Sequence, residues 1–400
     1  MTTGTIAVVL VAMLASFFMA WALGASSNSP PFAPAVGANA IPTMRAAFFI
    51  GVFAALGAIA QGGSISETVG TGLIDDVSIS PLGAAAGLFT AALFIALGVS
   101  TGYPVPAAFA TTGAMVGVGL ALGGNPAWDT YQRIGTFWVS VPFVSATIAY
   151  TTASLLRNDS IPETVSVPFL GGFVGFVLAN VDIAIFPGST GQRTLARFVS
   201  VQVGMTPTLF GTIDVTMILT SFISGVVVFV VLRRSMERSV DAGIRQFLVG
   251  LGGVVAFSSG GSQVGLATGP LEPLFTTFDV PNIVLLVLGG VGILLGAWMG
   301  SPRLLQAVSR EYSKLGVRRS IAALVPGFLI AQAAIALGIP ISFNNIIISS
   351  VIGSGLVVGS GGVSGRKIAF TLSAWIVSLF GAGLLGYGIY TALTTLTGIK

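Results

Sequence analysis

The sequence predicts an all-α integral membrane protein with about 12 transmembrane helices. Of its 400 residues, 54% are hydrophobic and only 8% are charged, whereas an ordinary soluble domain has about 25% charged residues. The long apolar runs have the length of spanning helices, and they lack the strict alternation of barrel strands. Because lipid admits only helices and closed barrels, we expect the chain to cross the membrane as a helical bundle.

The hydropathy pattern divides the chain into apolar segments separated by short polar loops. The first segment lacks the basic n-region of a cleaved signal peptide, so we interpret it as a full span. The expected spans are about 5–24, 46–62, 81–100, 104–121, 133–156, 165–186, 207–232, 245–265, 283–301, 319–338, 340–358 and 368–394. Several contain glycine and proline, so broken or re-entrant helices at the membrane midplane are expected among them.

Residue types that are absent exclude several classes of chemistry. The chain has no cysteine and no histidine, which excludes disulfides, Ser-His-Asp triads and Cys/His metal clusters. The glycine-rich segment 359–365 lacks the strand-loop-helix setting and the Lys-Ser/Thr ending of a P-loop. We therefore expect no enzyme activity, no cofactor and no nucleic-acid partner, and the lipid bilayer is the surrounding medium.

The distribution of basic residues predicts the orientation in the cell membrane. If the spans alternate, 13 of the 17 Lys and Arg residues fall on one side, mostly in the loops 233–245, 303–319 and 366–367. By the positive-inside rule this side is cytoplasmic. The prediction is a multi-pass protein with both termini outside.

The two halves of the chain resemble one another at a constant spacing. A stretch rich in Gly, Pro, Ser and amide residues occurs at 24–34 and again at 260–270, which is 236 positions later. Pro104 and Pro340 show the same spacing of 236. Such residues interrupt helices, and paired interruptions in two halves are the best sequence indicator of a transporter's binding site.

The charges of equivalent loops predict that the halves are inverted. The loop after 46–62 carries Glu67, Asp75 and Asp76 and no basic residue, whereas the loop after 283–301 carries five basic residues. These loops should therefore lie on opposite membrane faces. We expect two inverted five-helix repeats, at 1–156 and 245–400, joined by two linker helices and a cytoplasmic loop at 157–244.

The polar residues of the repeated stretches form the candidate binding site. Broken-helix N-termini present unpaired N–H groups and the positive end of the helix dipole, and these can hold an anion without a positive side chain. Hydroxyl and amide groups add donors, and glycines allow close backbone approach. Alternatively, these side chains only satisfy helix breaks or pack helices. The candidate substrate-binding residues are Gly24, Ser26, Ser27, Asn28, Ser29, Gly260, Gly261, Ser262, Gln263, Ser342, Asn344 and Asn345.

Three acidic residues, Asp182, Asp214 and Glu272, fall in or near apolar spans. Intramembrane carboxylates are costly and are therefore functional candidates. Glu272 follows the second repeated stretch and Asp214 lies near the start of a linker span, so these two are the candidates for coupling to Na⁺ or H⁺. Alternatively, each of the three is solvated at an interface, or either Glu272 or Asp214 pairs with Arg193 or Arg197.

At these residues the sequence resembles the PiT-type inorganic phosphate transporter family. That family carries a Gly-Ala-Asn-Asp-Val-Ala-Asn signature and a later Pro-Val-Ser-Thr-Thr-His signature in each half. The segments that carry the resemblance are 20–25, 32–37, 257–260, 267–271, 296–303, 138–142 and 375–378. The resemblance covers nearly the whole chain, and it implies an ion-coupled secondary phosphate transporter, or symporter, with alternating access and a homodimeric assembly.

The departures from the family pattern fall on its polar centre. Where the family has Asn-Asp, this chain has Ser26-Ser27 and Ser262-Gln263, and the two histidines become Phe109 and Asn345. In the family, Asp and Asn of these stretches help hold sodium and phosphate. Sulfate needs donors only, whereas monohydrogen phosphate also offers a proton. The missing Asp therefore favours sulfate slightly, and we expect phosphate because of the family resemblance, with a sulfate or other oxyanion permease, an uncoupled channel and a non-transporting scaffold as alternatives.

Overall fold

The computed structural model describes residues 3–101, 105–158, 160–189, 191–204, 208–209, 213–277, 280–313, 316–358 and 365–398. Within these ranges the regular structure is helical apart from two short antiparallel ribbons. Their strands are β1 (Ile74–Asp75) paired with β2 (Asn125–Pro126), and β3 (Thr208–Leu209) paired with β4 (Ile213–Asp214). Helix packing therefore sets the fold.

The helices of the first part of the chain extend to Arg157. They are α1 (Thr3–Ser26), α2 (Ala33–Gly37), α3 (Thr43–Gln61), α4 (Gly63–Thr71), α5 (Pro81–Thr101), α6 (Ala107–Ala121) and α7 (Trp128–Arg157). A 3-10 turn at Pro30–Phe32 joins α1 to α2. The predicted interruption of the first repeated stretch is thus found directly after Ser26.

The central and later helices are α8 (Glu163–Leu178), α9 (Leu195–Val203), α10 (Val215–Arg238), α11 (Val240–Thr268), α12 (Glu272–Thr277), α13 (Asn282–Ser313), α14 (Val317–Leu337), α15 (Phe343–Leu356) and α16 (Gly365–Thr397). A second 3-10 turn, Gly269–Leu271, joins α11 to α12. It follows the end of α11 directly, whereas the first 3-10 turn begins a few residues after the end of α1.

Each expected span coincides with a helix. Nine helical stretches among the described residues have the length and hydropathy of a membrane span, which confirms a multi-pass helical membrane protein. The helices α6, α8 and α15 are shorter, with 15, 16 and 14 residues. At about 1.5 Å per residue they fall short of a hydrocarbon core about 30 Å thick. The boundaries that differ most are three, because α8 ends at Leu178, α10 begins at Val215 and α13 extends to Ser313.

The second repeated stretch interrupts its helix only at its end, and the break that we expected near Gly260 was placed too early. The helix α11 continues through the whole segment from Gly260 to Thr268, and the irregularity begins only at Gly269. Glycine in a membrane helix is tolerated where another helix packs closely against it. The backbone N–H groups of this segment lie in a helix interior and are therefore engaged along the helix.

Glycines let α1 and α13 cross at very short range. A Cβ atom at Gly24 would lie 2.2 Å from the carbonyl oxygen of Ile293, and one at Gly296 would lie 2.0 Å from that of Trp21. Only glycine fits on either side of this contact. Small residues of this kind drive close helix packing in membranes.

The crossing of α3 and α11 has the same form. A Cβ atom at Gly260 would lie 1.8 Å from the carbonyl oxygen of Ala54, and one at Gly57 would lie 1.8 Å from that of Phe257. A Cβ atom at Gly261 would likewise lie too close to α3, at 2.6 Å from Gln61 Cβ. These glycines, like Gly24, serve close approach between helices. The expectation that they bring backbone to a ligand is corrected accordingly.

Helices of the two parts of the chain exchange partners in a regular pattern. The helix α1 packs against α13 and α5, and α11 packs correspondingly against α3 and α14. Likewise α6 packs against α16 and α5, and α15 packs against α7 and α14. The helices α8, α9 and α10 pack mainly on one another and on α11. The buried apolar residues of both parts form one continuous core.

Candidate functional site

The end of α1 is fastened to α11 by buried hydrogen bonds. Asn28 is fully buried and accepts a hydrogen bond from the Ser259 hydroxyl. Its amide nitrogen donates to the Leu23 carbonyl at 3.4 Å. Earlier in α1, Ser16 Oγ donates to the Ala267 carbonyl of α11 at 2.8 Å. Because Ser16 contacts Ala267 and Asn28 contacts Ser259, the two helices run antiparallel.

The three serine hydroxyls of the first stretch have partners at the end of α1 or on α13. Ser26 Oγ donates to the Ala22 carbonyl at 2.8 Å and lies 3.4 Å from Ser27 Oγ. Ser29 Oγ donates to Ser301 Oγ at 2.9 Å. All three serines are buried. Their hydrogen bonds satisfy the helix end, as the structural alternative for these residues predicted.

Gln263 links the second repeated stretch to the segment that precedes α15. Its Nε2 atom donates to the Ile341 carbonyl at 3.0 Å, and its Oε1 atom is buried without a hydrogen-bond partner in the described structure. Ser262, by contrast, donates to the Ser259 carbonyl of its own helix at 3.0 Å. Both side chains are fully buried. Gln263 therefore has an unused acceptor and Ser262 does not offer a free donor.

The N-termini of the two short helices α6 and α15 meet in the protein interior. Asn344, in the first turn of α15, donates from Nδ2 to the carbonyl of Val105 at 3.3 Å, and α6 begins two residues later, after its N-cap Pro106. Ser342 is the N-cap of α15 and makes no side-chain capping bond. Ser342 Oγ and Asn345 Oδ1 are buried, and neither has a hydrogen-bond partner in the described residues.

We refer to Gln263, Ser342, Asn344 and Asn345, together with the facing N-termini of α6 and α15, as the polar junction. The first N–H groups of a helix lack intrahelical partners, and its N-terminus carries the positive end of the dipole. Such an end is suited to an anion. The 3-10 turn Pro30–Phe32 contacts both α11 and α15, so the first stretch lies beside the junction.

Sequence reasoning missed a second polar chain between α3, α11 and α14. Gln61 Nε2 donates to Gln332 Oε1 at 3.2 Å and to the Asp182 carbonyl at 3.1 Å. Gln332 Nε2 in turn donates to Ser258 Oγ at 2.7 Å. Gln332 and Asp182 line a cavity of about 160 Å³, to which Ser64 contributes. The available signal was a glutamine in each of two apolar runs, a feature that is costly in a membrane helix unless it is paired.

Asp182 forms an ion pair with Arg193 next to this cavity. Its Oδ2 atom lies 2.7 Å from Arg193 Nη2, and its Oδ1 atom accepts from the Arg193 backbone N–H at 2.9 Å. The two side chains are 13% and 19% exposed. Asp182 is thus neutralised by Arg193.

Asp214 is the N-cap of α10. Its Oδ1 atom accepts hydrogen bonds from the backbone N–H groups of Thr216 and Met217 at 2.8 and 3.2 Å. The Ser200 hydroxyl donates to Oδ2. The Ser200 hydrogen bond, followed by those from the helix N-terminus, holds the pKa of Asp214 below its ordinary value. Aspartate at an N-cap stabilises the helix, and this structural role accounts for the residue.

Glu272 lies apart from the polar junction. It is the first residue of α12, nine residues after Gln263, or about 13 Å along a helix. Its Oε2 atom is buried and lacks a hydrogen-bond partner among the described residues. The helix α4 packs against this position, since a Cβ atom at Gly70 would lie 3.4 Å from Glu272 Cβ. A buried carboxylate oxygen without a partner remains available for a proton or a cation.

A bundle of long apolar helices that encloses helix N-termini and unpaired amide oxygens defines a class of protein, the multi-pass membrane transporter. Comparison with known sequences gives the family. The model of the phosphate transporter family matches residues 23–386, and the chain belongs to that family. Its members are transporters and not enzymes.

Relatives and a solved structure resemble the chain over nearly its whole length. A Pyrococcus furiosus protein named "Putative phosphate permease" is 25% identical over 424 aligned positions, covering 98% of this chain and 97% of its own. The chloroplastic inorganic phosphate transporter 2-1 of Arabidopsis thaliana is 23% identical and covers 92% of this chain and 69% of its own. A solved sodium-dependent phosphate transporter superposes with a TM-score of 0.81 at 23% identity, covering 98% of this chain and 100% of its own. At that identity, the solved structure supports the fold.

Proposed function

We propose that the chain is a secondary transporter that carries inorganic phosphate across the cell membrane and holds it at the polar junction. The observation that carries this proposal is the meeting of the α6 and α15 N-termini, joined by Asn344 and Val105 at 3.3 Å. An oxyanion between them would accept hydrogen bonds from the helix N–H groups and from Ser342 Oγ. Family membership supports phosphate as the substrate.

The unpaired amide oxygens favour phosphate over sulfate. Gln263 Oε1 and Asn345 Oδ1 are buried acceptors without hydrogen-bond partners in the described structure, and an unpaired buried acceptor costs about 1–3 kcal/mol. Protonated phosphate can satisfy such an acceptor with its P–OH group. Sulfate is fully ionised near neutral pH and brings no proton, so it leaves the amide oxygens unpaired. Two neutral amide oxygens thus provide the acceptors that a carboxylate would provide, and they do not repel the dianion.

Two inverted repeats explain how the site reaches both sides of the membrane. The antiparallel course of α1 and α11, and the regular exchange of packing partners between the two parts of the chain, support this arrangement. The repeats comprise α1, α3, α5, α6 and α7, and α11, α13, α14, α15 and α16. Rocking of one against the other around a fixed site would give alternating access.

Coupling to a cation is assigned to Glu272. Its Oε2 atom is buried and unpaired, whereas the carboxylate of Asp214 is engaged at the start of α10. A proton or a sodium ion on Glu272 would remove the cost of a buried charge. The Glu272→Gln variant should transport phosphate with no stimulation by the coupling gradient, whereas Asp214→Asn should retain the stimulation. Equal stimulation in both variants would exclude the assignment to Glu272.

Orientation and assembly follow from the sequence and the resemblance. Both termini are proposed to lie outside, because most basic loops then face the cytoplasm. The family resemblance supports a homodimer. Labelling of single cysteines introduced at each end, in intact cells, tests the orientation, since the natural chain has no cysteine.

The transport proposal is tested with purified protein in liposomes. We would measure uptake of labelled phosphate and labelled sulfate with an inward sodium gradient, an inward proton gradient, or neither. Gradient-stimulated phosphate uptake that exceeds sulfate uptake is the expected result. Sulfate uptake above phosphate uptake would identify a sulfate permease. Flux that neither gradient stimulates would identify a channel. The absence of both fluxes in a folded protein would contradict the proposal and leave the scaffold or a permease for another oxyanion.

A further inference from the structure

An apolar groove runs between α3, α11 and the end of α8. Its volume is about 520 Å³, within the range of about 300–1,000 Å³ typical of sites for drug-sized ligands. Its walls include Phe49, Phe53, Leu178, Ile183, Val249 and Phe257. Two glycines of α11, Gly250 and Gly253, also line it. A groove this apolar in a membrane protein is suited to hydrocarbon.

The two helices that border the groove run parallel with a fixed register. A Cβ atom at Gly253 would lie 3.2 Å from the Phe53 ring, and one at Gly261 would lie 2.6 Å from Gln61 Cβ. Both pairs are separated by 200 positions. The same register continues beyond the groove and places Arg45, at the start of α3, level with the arginine 200 positions later on α11.

Two arginines therefore flank one end of the groove. Arg45 precedes the groove residue Phe49 by four positions on α3, and Arg245 precedes Val249 by four positions on α11. Residues four apart share a helix face. Both arginines are exposed. Among the ion pairs between described residues, none involves either arginine, not even with Asp241 one turn away.

We propose that this groove and its two arginines bind one anionic phospholipid. An acyl chain would fill the groove, and the lipid phosphate would lie between the Arg45 and Arg245 guanidinium groups, which pair well with phosphate. Positive charges beside a membrane span attract the anionic lipids of the cytoplasmic leaflet. The groove would thus hold the cytoplasmic end of α3 against α11, the helix that carries Gln263 of the polar junction.

Native mass spectrometry of the full chain, with equal amounts of phosphatidylglycerol and phosphatidylcholine, tests this proposal. We expect one phosphatidylglycerol retained per chain in preference to phosphatidylcholine. The double variant Arg45→Gln with Arg245→Gln should retain phosphatidylglycerol about 25-fold more weakly, since each arginine near a lipid surface contributes about a factor of five. Arg233→Gln, which changes an exposed arginine paired with Glu237, is the charge control and should bind as the natural chain does.

A second variant tests the groove itself. A Cβ atom at Gly250 would meet nothing within 4 Å, so Gly250→Leu fills the groove without a clash and should abolish retention of the lipid. The matched control is Gly388→Leu on α16, where the space is equally open and the residue is exposed. Equal retention of both lipids by the natural chain, or full retention in Gly250→Leu, would overturn the proposal. A dimer that Gly250→Leu dissociates would do the same, because a second copy of the chain would then be the occupant.

Discussion

Gln263 offers the most discriminating test of substrate recognition. Methionine at this position keeps the length of the side chain and removes both its donor and its acceptor. The Ile341 carbonyl, now at 3.0 Å from Nε2, would lose its hydrogen bond, and an unpaired buried acceptor costs about 1–3 kcal/mol of stability. Phosphate would lose the acceptor Oε1. A hydrogen bond to a charged partner contributes about 1.5–3 kcal/mol, so we expect its KM to rise about 10- to 150-fold.

The assay is uptake of labelled phosphate into liposomes, with sulfate as competitor. Because sulfate carries no proton for Oε1, its inhibition constant should change much less than the KM for phosphate. The control is Gln246→Met, which changes an exposed glutamine of the same helix and should leave both constants unchanged. An unchanged phosphate KM in a folded Gln263→Met variant, or an equal loss of phosphate and sulfate binding, would refute the reasoning.

Three further changes test the fold and the site. Gly260→Ala places a Cβ atom 1.8 Å from the Ala54 carbonyl oxygen and should destabilise the protein by about 1–3 kcal/mol, because overpacked contacts force the helices apart; thermal unfolding in detergent measures it. Asn344→Leu removes the donor that joins α15 to the start of α6, and it should raise the phosphate KM together with a loss of stability. Asp214→Asn should lower the melting temperature at neutral pH, and the deficit should shrink as pH falls below 3.8, the ordinary pKa of the group, and disappear only below the depressed folded-state pKa. The sign follows because the Ser200 and helix hydrogen bonds depress the folded-state pKa, so their stabilisation is present above the ordinary value and lost as pH falls through the lower one.

Each of these three changes has its own control or its own contradicting result. Gly388→Ala, at a glycine with open space around it, should leave the melting temperature unchanged, and an equal drop in both alanine variants would remove the steric explanation. An unchanged phosphate KM in Asn344→Leu would show that phosphate binding does not require the hydrogen bond between α15 and the start of α6. A melting-temperature deficit of Asp214→Asn that persists unchanged in acid would show that its carboxylate charge is not what stabilises α10.

The sequence predicted the membrane helices, because hydropathy is a local property of a chain. It failed at Gly260 itself, where glycine was interpreted as a helix break. The contact that explains this glycine, with Ala54 of α3, depends on a crossing that no local pattern shows. Capping by Asp214 could have been predicted, since an aspartate directly precedes the apolar run of α10.

The sequence predicted only part of the candidate site, because much of the site depends on contacts between helices. Polar residue types identified Gln263 and Asn344 as candidates. Their division of roles depends on which atoms find partners across helices that are distant in the chain. The pairing of Gln61 with Gln332 is of this kind, and it could not be derived from two isolated glutamines.

The location of the bound oxyanion tests the central claim most directly. Arsenate is a structural analogue of phosphate, and its arsenic atom gives an anomalous signal in crystals of the full chain. We predict a single anomalous peak within hydrogen-bond reach of Ser342 Oγ and the first N–H groups of α15. A peak in the cavity beside Asp182 and Arg193 instead, with none at the polar junction, would contradict the assignment of the substrate site.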